Sequence, residues 1–158
     1  MRLLARREHS AVELKRKLAW RGVDEAEADK AVNELADDGW QSDQRYAESM
    51  VRQRVMQGYG PLRIEAELEQ SGVDSALVRA AFAEVECDWL QLAYETHARR
   101  FAPPGNAKEW QKQYSYLRMR GFQSDHIRSA QGRSARFGLG RDRFTTARKH
   151  HERRQLQA

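Results

Sequence analysis

Apolar residues return every three or four positions along this chain, in short runs that each close on a glycine. Residues 58–82 show the pattern most clearly. Gly58 closes one run, and Pro61 stands where a helix begins, where its missing N–H costs nothing and its fixed φ suits the helix. Ile64 and Leu68 share one face. Gly72 supplies the left-handed conformation of a helix C-cap. Asp74 is placed to cap a second helix, whose inward stripe is Leu77, Val78, Ala81, Phe82 and Val85. The stretch therefore predicts two short amphipathic helices joined at a Gly-Val-Asp corner.

The corner recurs. With Gly22, Gly72 and Gly121 in register, Leu18, Leu68 and Leu117 align four residues upstream, and Val23, Val73 and Phe122 follow directly. Ala28, Val78 and Ile127 align next, then Ala31, Ala81 and Ala130, at spacings of 50 and 49 residues. Packing positions repeat while the charged residues between them differ, as in a structural repeat.

The remaining elements follow from capping and breaking residues. Residues 2–7 are expected to be helical, with Leu3 and Leu4 apolar. Ser10 and Glu13 form a capping box ahead of Leu14 and Leu18. Asp24 with Glu27 opens a helix carrying Ala28, Ala31, Val32 and Leu35 and ending at Gly39, with Trp40 packed over that corner. Ser42 or Asp43 caps a helix that turns Tyr46, Ala47, Met50, Val51 and Val55 inward. Asp88 caps another, containing Trp89, Leu90, Ala93, Tyr94, His97 and Phe101, which Pro103, Pro104 and Gly105 break. Asn106 with Glu109 opens the next, lined by Trp110, Tyr114 and Leu117. Ser124 caps a short helix with Ile127 and Ala130, and after Gly132 the apolar pattern fails.

The predicted fold is all-α: tandem helical repeats of about fifty residues in an elongated array. The expected divisions are a first repeat at 1–57, a second at 58–102, a third, incomplete one at 103–131, and a basic tail at 132–158. Each repeat alone would bury too little surface to be stable, so the repeats must lean on one another.

Composition narrows the function. Of 158 residues, 40% are hydrophobic and 32% charged. No apolar run approaches the roughly 20 residues of a membrane span, and residues 1–8 lack the apolar core of a signal peptide. The cytoplasm is therefore the expected compartment, with no membrane association. A single cysteine, Cys87, excludes an internal disulfide and a multi-cysteine zinc site. The net charge is +5, but its placement is uneven. Residues 132–158 hold eight of the 28 Lys/Arg and two of the 23 Asp/Glu, which leaves 20 basic against 21 acidic residues before them. Residues 2–21 carry seven basic and two acidic side chains, whereas residues 24–38 carry seven acidic and one basic. The acidic segment excludes a helix-turn-helix reading in which it would lie in a major groove against phosphates.

These motifs resemble the RecX family of bacterial regulatory proteins. Leu3-Leu4-Ala5-Arg6-Arg7-Glu8-His9-Ser10, followed by Glu13-Leu14 and Lys17-Leu18, is similar to that family's N-terminal signature. Tyr46-Ala47, with Arg52 and Arg54, resembles the segment after it. Gly58-Tyr59-Gly60-Pro61, with Ile64 and Leu68, resembles the central motif, and Arg118-Met119-Arg120-Gly121-Phe122 the third-repeat signature. The resemblance runs from residue 3 to about 131 and stops after Ala130, where the family usually completes a third unit. It implies tandem three-helix repeats in a curved array, and a regulator that binds the RecA recombinase and its nucleoprotein filament; a monomer is expected. The implied effect is inhibitory, on filament growth, ATP hydrolysis, strand exchange and cleavage of the SOS repressor.

No catalytic, cofactor or metal residues are implied by the resemblance, and none are evident otherwise. No phosphate-binding Gly-x-x-x-x-Gly-Lys-Ser/Thr loop or His-Glu-x-x-His site occurs. His9, His97 and His126 are scattered, and His150 and His151 lie in the basic tail. The binding candidates are cationic, because guanidinium groups grip carboxylates and phosphates with paired hydrogen bonds. For RecA or DNA they are Arg16, Arg21, Arg45, Arg52, Arg54, Arg63, Lys112, Arg118 and Arg120, with Tyr59 adding contact area. For direct DNA binding by the tail they are Arg133, Arg136, Arg141, Arg143, Arg148 and Lys149. The competing function is a non-specific DNA-binding repeat protein that sequesters single strands.

Overall fold

The computed structural model describes residues 4–136, whose regular structure is all helical. In chain order the elements are α1 (Ala11–Ala19), α2 (Glu25–Asp37), α3 (Asp43–Met56), α4 (Pro61–Gln70), α5 (Ser75–Glu84), α6 (Trp89–Ala98) and α7 (Ala107–Met119). An eighth helix, α8, covers residues 124–136. The chain divides into two compact units between Cys87 and Asp88.

Most helices start where the sequence places a cap. The side chains of Ser10, Asp24, Ser42, Asp74, Asp88 and Asn106 each accept a hydrogen bond from a backbone N–H of the first turn they precede. Pro61 occupies the first turn of α4, behind Gly60. Four of the helices end alike, among them α3 at Gly58, where the Tyr59 N–H reaches the Arg54 carbonyl at 3.0 Å. Gly22, Gly72 and Gly121 have φ of 82, 75 and 91°. In each corner the next residue's N–H reaches back across the last turn: Val23 to the Leu18 carbonyl (3.1 Å), Val73 to Leu68 (3.2 Å) and Phe122 to Leu117 (3.2 Å). This is the Schellman closure, and it satisfies carbonyls that a helix end leaves orphaned. The three corners are one structure written three times.

In the first unit α1 packs on α2, and α3 packs on both α4 and α5. Its core holds Leu14, Val32, Ala47, Val51, Ile64, Leu68, Val73 and Val78, all buried. In the second unit α6 packs on α7. There Ala93, Leu117, Phe122, Ile127 and Ala130 form the core, with Leu92, Tyr94, Tyr114 and Tyr116 packed around it.

Four expectations need correction. Residues 4–7 form a turn and a bend and are not helical, so no helix precedes α1 among the described residues. Trp40 does not cover its corner; 55% of its surface is exposed. The last helix does not stop at Gly132 but runs on to residue 136. Gln131 and Ser134 are buried there, and Gln131 Nε2 donates to the Trp110 carbonyl at 3.0 Å. Polar side chains anchor that turn, so an apolar pattern does not reveal it. Ser124 is the first residue of α8 rather than its cap, and its hydroxyl meets that of Tyr114 at 2.9 Å.

Candidate interaction surface

In the first unit, the N-terminal segment and the ends of α1, α3 and α4 enclose a groove of about 500 Å³. Its floor is a polar network. His9 Nδ1 donates to Glu13 Oε2 at 2.9 Å, and Arg7 reaches the same oxygen at 3.1 Å. Partial burial pushes the Glu13 carboxyl up, but these two bonds and the adjoining charges outweigh it and hold it below the usual carboxylate range. The Tyr46 and Ser71 hydroxyls are hydrogen bonded at 2.9 Å. Burial raises the Tyr46 phenol, against the Ser71 hydrogen bond and with the Glu13 charge, so it stays protonated near neutral pH.

Arg54 and Glu67, which line this groove, also belong to an arginine–tyrosine stack beside it. Glu67 on α4 binds Arg54 Nε at 2.6 Å and Arg63 Nε at 2.9 Å. Both guanidinium groups lie over the Tyr59 ring, at 5.7 and 4.7 Å from its centre. Desolvation opposes ionisation of Glu67, but the bonds from Arg63 and Arg54 prevail and lower its pKa. Arg54, Tyr59 and Arg63, named from the sequence as contact residues, are thus brought together and tied to one carboxylate.

The other candidates separate into occupied and open groups. Arg45 is spent internally. It pairs with Glu8 at 3.0 Å and donates to the carbonyls of Gly39 and Trp40 at 2.9 and 3.2 Å, closing the end of α2. Arg52 is exposed and pairs with Glu48 one turn back at 3.5 Å. Arg16 and Arg21 are exposed and share an open groove with Trp20.

In the second unit Lys112 is exposed on α7, and exposed Arg118 points one nitrogen at Ser124 Oγ, 3.4 Å away. Arg120 lies 5.4 Å from the Tyr116 ring centre. Arg100 lies over the same ring at 4.7 Å, so a second arginine–tyrosine–arginine stack exists that the sequence motifs did not single out. Arg133 bonds Gln91 Oε1 at 2.7 Å and lies over Tyr94, so it belongs to α8 and not to a free tail. Arg136 is exposed on the same helix. Arg141, Arg143, Arg148 and Lys149 lie outside the described residues.

Among the described residues no group of His, Cys, Asp and Glu could hold a metal ion. The arrangement offers cations, flat rings and hydrogen-bonding edges on short, firmly capped helices.

Comparison with known proteins decides the lineage. Residues 1–35 match the first three-helix domain of RecX, residues 42–81 the second and residues 86–130 the third. The chain belongs to the RecX family. It is 45% identical over 130 residues to a regulatory protein RecX of Stenotrophomonas maltophilia (strain K279a), covering 81% of this chain and 80% of that one. The corresponding protein of Xanthomonas campestris pv. campestris (strain B100) is 47% identical over the same shares. The fold resembles the crystal structure of RecX from Lactobacillus salivarius, with a TM-score of 0.64 at 24% identity, over 82% of this chain and 87% of that one. A second crystal structure, of a regulatory protein RecX, gives a TM-score of 0.69 at 21% identity over 80% of this chain, which spans 64% of that one's length.

The matched RecX domains group α3 with α4 and α5, and α6 with α7 and α8. The spans thus open at residues 42 and 86, one helix ahead of the divisions at 58 and 103 read from the glycine pattern. The RecX domain at 86–130 accounts for α6 to α8 as three helices in sequence. Among the described residues, no helix is long and apolar enough to cross a membrane.

Proposed function

We propose that this RecX-family protein is a non-enzymatic regulator of the RecA recombinase, acting as a monomer in the cytoplasm. It binds RecA and the RecA nucleoprotein filament and restrains ATP hydrolysis, filament extension and strand exchange. Recombination and the SOS response are modulated as a result. The observation that carries the reading is the presence of all three RecX three-helix domains, in order, along one chain.

The physical features agree with it. Within each unit, helices are held by caps and Schellman corners, and pre-ordered elements bind with little loss of conformational entropy. Cations are distributed over both units: Arg16, Arg21 and Arg52 in the first, Lys112, Arg118 and Arg136 in the second. Contacts to successive RecA protomers would add through effective concentration, without any single contact being strong. Clamping neighbouring protomers would oppose the movements that accompany nucleotide turnover.

The test is sedimentation with RecA filaments assembled on single-stranded DNA. The chain is expected to pellet with the filaments and to arrest their extension when added during growth. Absence from the pellet removes the proposal. The concentration of Lys and Arg in residues 132–158 supports a second reading, in which the chain competes for single strands. Deleting residues 137–158 separates the two. If filament arrest survives the deletion, the regulator reading stands; if arrest and DNA retention vanish together, strand competition replaces it.

A further inference from the structure

Trp20 stands at the C-terminal end of α1 with 95% of its surface in solvent. An indole is among the largest apolar surfaces a chain can bury, and folding gains nothing from this one. One turn back on the same helix are Arg16 and Lys17, and Arg21 follows directly. With Glu13 these residues line an open groove of about 550 Å³.

The cations here differ from the tied arginines of the first unit, although Lys30 and Arg79 also make no ion pair with a described residue. Arg45, Arg54 and Arg63 are each held by a carboxylate. Arg16, Lys17 and Arg21 make no ion pair or side-chain hydrogen bond with any described residue. Glu13 does not neutralise them, because its carboxylate is engaged by His9 and Arg7. Basic residues in the last turn complement the helix dipole, which accounts for Arg16 and Lys17 in folding terms. It accounts for neither the bare indole nor Arg21.

We propose that this groove is a stacking site for single-stranded DNA. One unpaired base lies on the Trp20 indole, and the phosphates on either side are taken by Arg16, Lys17 and Arg21. A single strand fits better than a duplex, whose base faces are already covered by their neighbours. It also fits better than a peptide, since a peptide anchor needs an apolar pocket around it. Here the lining holds one aromatic ring and otherwise only charged side chains. Only the choice of DNA over RNA rests on the proposed RecA function; the chemistry of the site does not.

The test uses the full chain and a fluorescein-labelled oligothymidylate, with no RecA present, so that it stands or falls apart from the regulator reading. Oligothymidylate is expected to quench tryptophan emission as it binds. Trp20→Ala is expected to weaken binding about 5- to 150-fold, the range for loss of one base–aromatic stack. Trp20→Phe is expected to keep most of the affinity while losing the quenching. Arg16→Ala and Arg21→Ala are each expected to lower the slope of log affinity against log salt by about 0.7. Trp20 is exposed, so these variants fold, and circular dichroism checks it. Unchanged affinity in Trp20→Ala overturns the proposal. So does a loss of oligouridylate binding alone, which makes the strand RNA. A loss of binding to DNA-free RecA with DNA binding intact also overturns it, and assigns the groove to a protein partner.

Discussion

The hydroxyl of Ser10 donates to the main-chain carbonyl of Ser71 at 2.7 Å, joining residues 61 apart in sequence. The same oxygen accepts the Glu13 N–H and so caps α1. One buried hydroxyl therefore starts a helix and fastens it to the corner after α4. Ser10→Ala removes both bonds at once. It is expected to cost about 2 kcal/mol in urea unfolding, a cap together with a tertiary hydrogen bond. Ser10→Thr, which keeps the hydroxyl, is expected to recover part of that loss.

The corner itself predicts a contrast. Gly22 and Gly72 have similar positive φ, so alanine is strained at either. A Cβ at Gly22 would meet nothing, whereas at Gly72 it would overlap the side chain of Val12. Gly22→Ala is therefore expected to cost about 1 kcal/mol and Gly72→Ala about 2–4 kcal/mol, the excess coming from displaced packing. Equal losses at the two sites would show that α1 does not rest on the α4 corner.

Acid stability follows from two carboxylates. The hydrogen bonds that outweigh desolvation at Glu13 and Glu67 place their folded pKa values below the ordinary 4.5. A group lowered on folding contributes stability above its unfolded pKa and loses it as pH falls through the folded one. Unfolding free energy is thus expected to decline below about pH 4.5. Glu67→Gln, which also releases Arg54 and Arg63, is expected to be less stable near neutrality and to show a shallower acid decline. Parallel curves for variant and parent would contradict the account of Glu67.

Much of this fold is legible in the sequence, because its signals are local. Glycine corners, side-chain caps and a proline in a first turn act within a few residues, and the helices begin and end close to them. The phase of the repeat is less legible. Leu68 and Leu117 are fully buried, but Leu18 at the same repeat position is only half-buried; among the described residues no helix precedes α1 as α3 precedes α4 and α6 precedes α7. That difference is tertiary and leaves no local trace.

The candidate surface is harder still. The arginine identities do not tell an internal tie such as Arg45 from an open cation such as Arg16; only their partners do. Trp20 did have a signal. It lies two residues beyond inward-facing Leu18, roughly opposite it on a helix of 3.6 residues per turn, in register with Met119, which is also exposed. A large apolar residue on a solvent face marks a contact surface more sharply than charge does. The arginine–tyrosine–arginine stack at Tyr116 had none, because Arg100 and Arg120 approach it from separate segments.

The most direct test of the regulator account is the ATPase rate of RecA on single-stranded DNA, measured as this chain is added from substoichiometric to equimolar amounts. The account predicts progressive inhibition that is already clear below one chain per RecA protomer. An ATPase rate that stays unchanged up to equimolar chain, with RecA saturating the DNA, would contradict it.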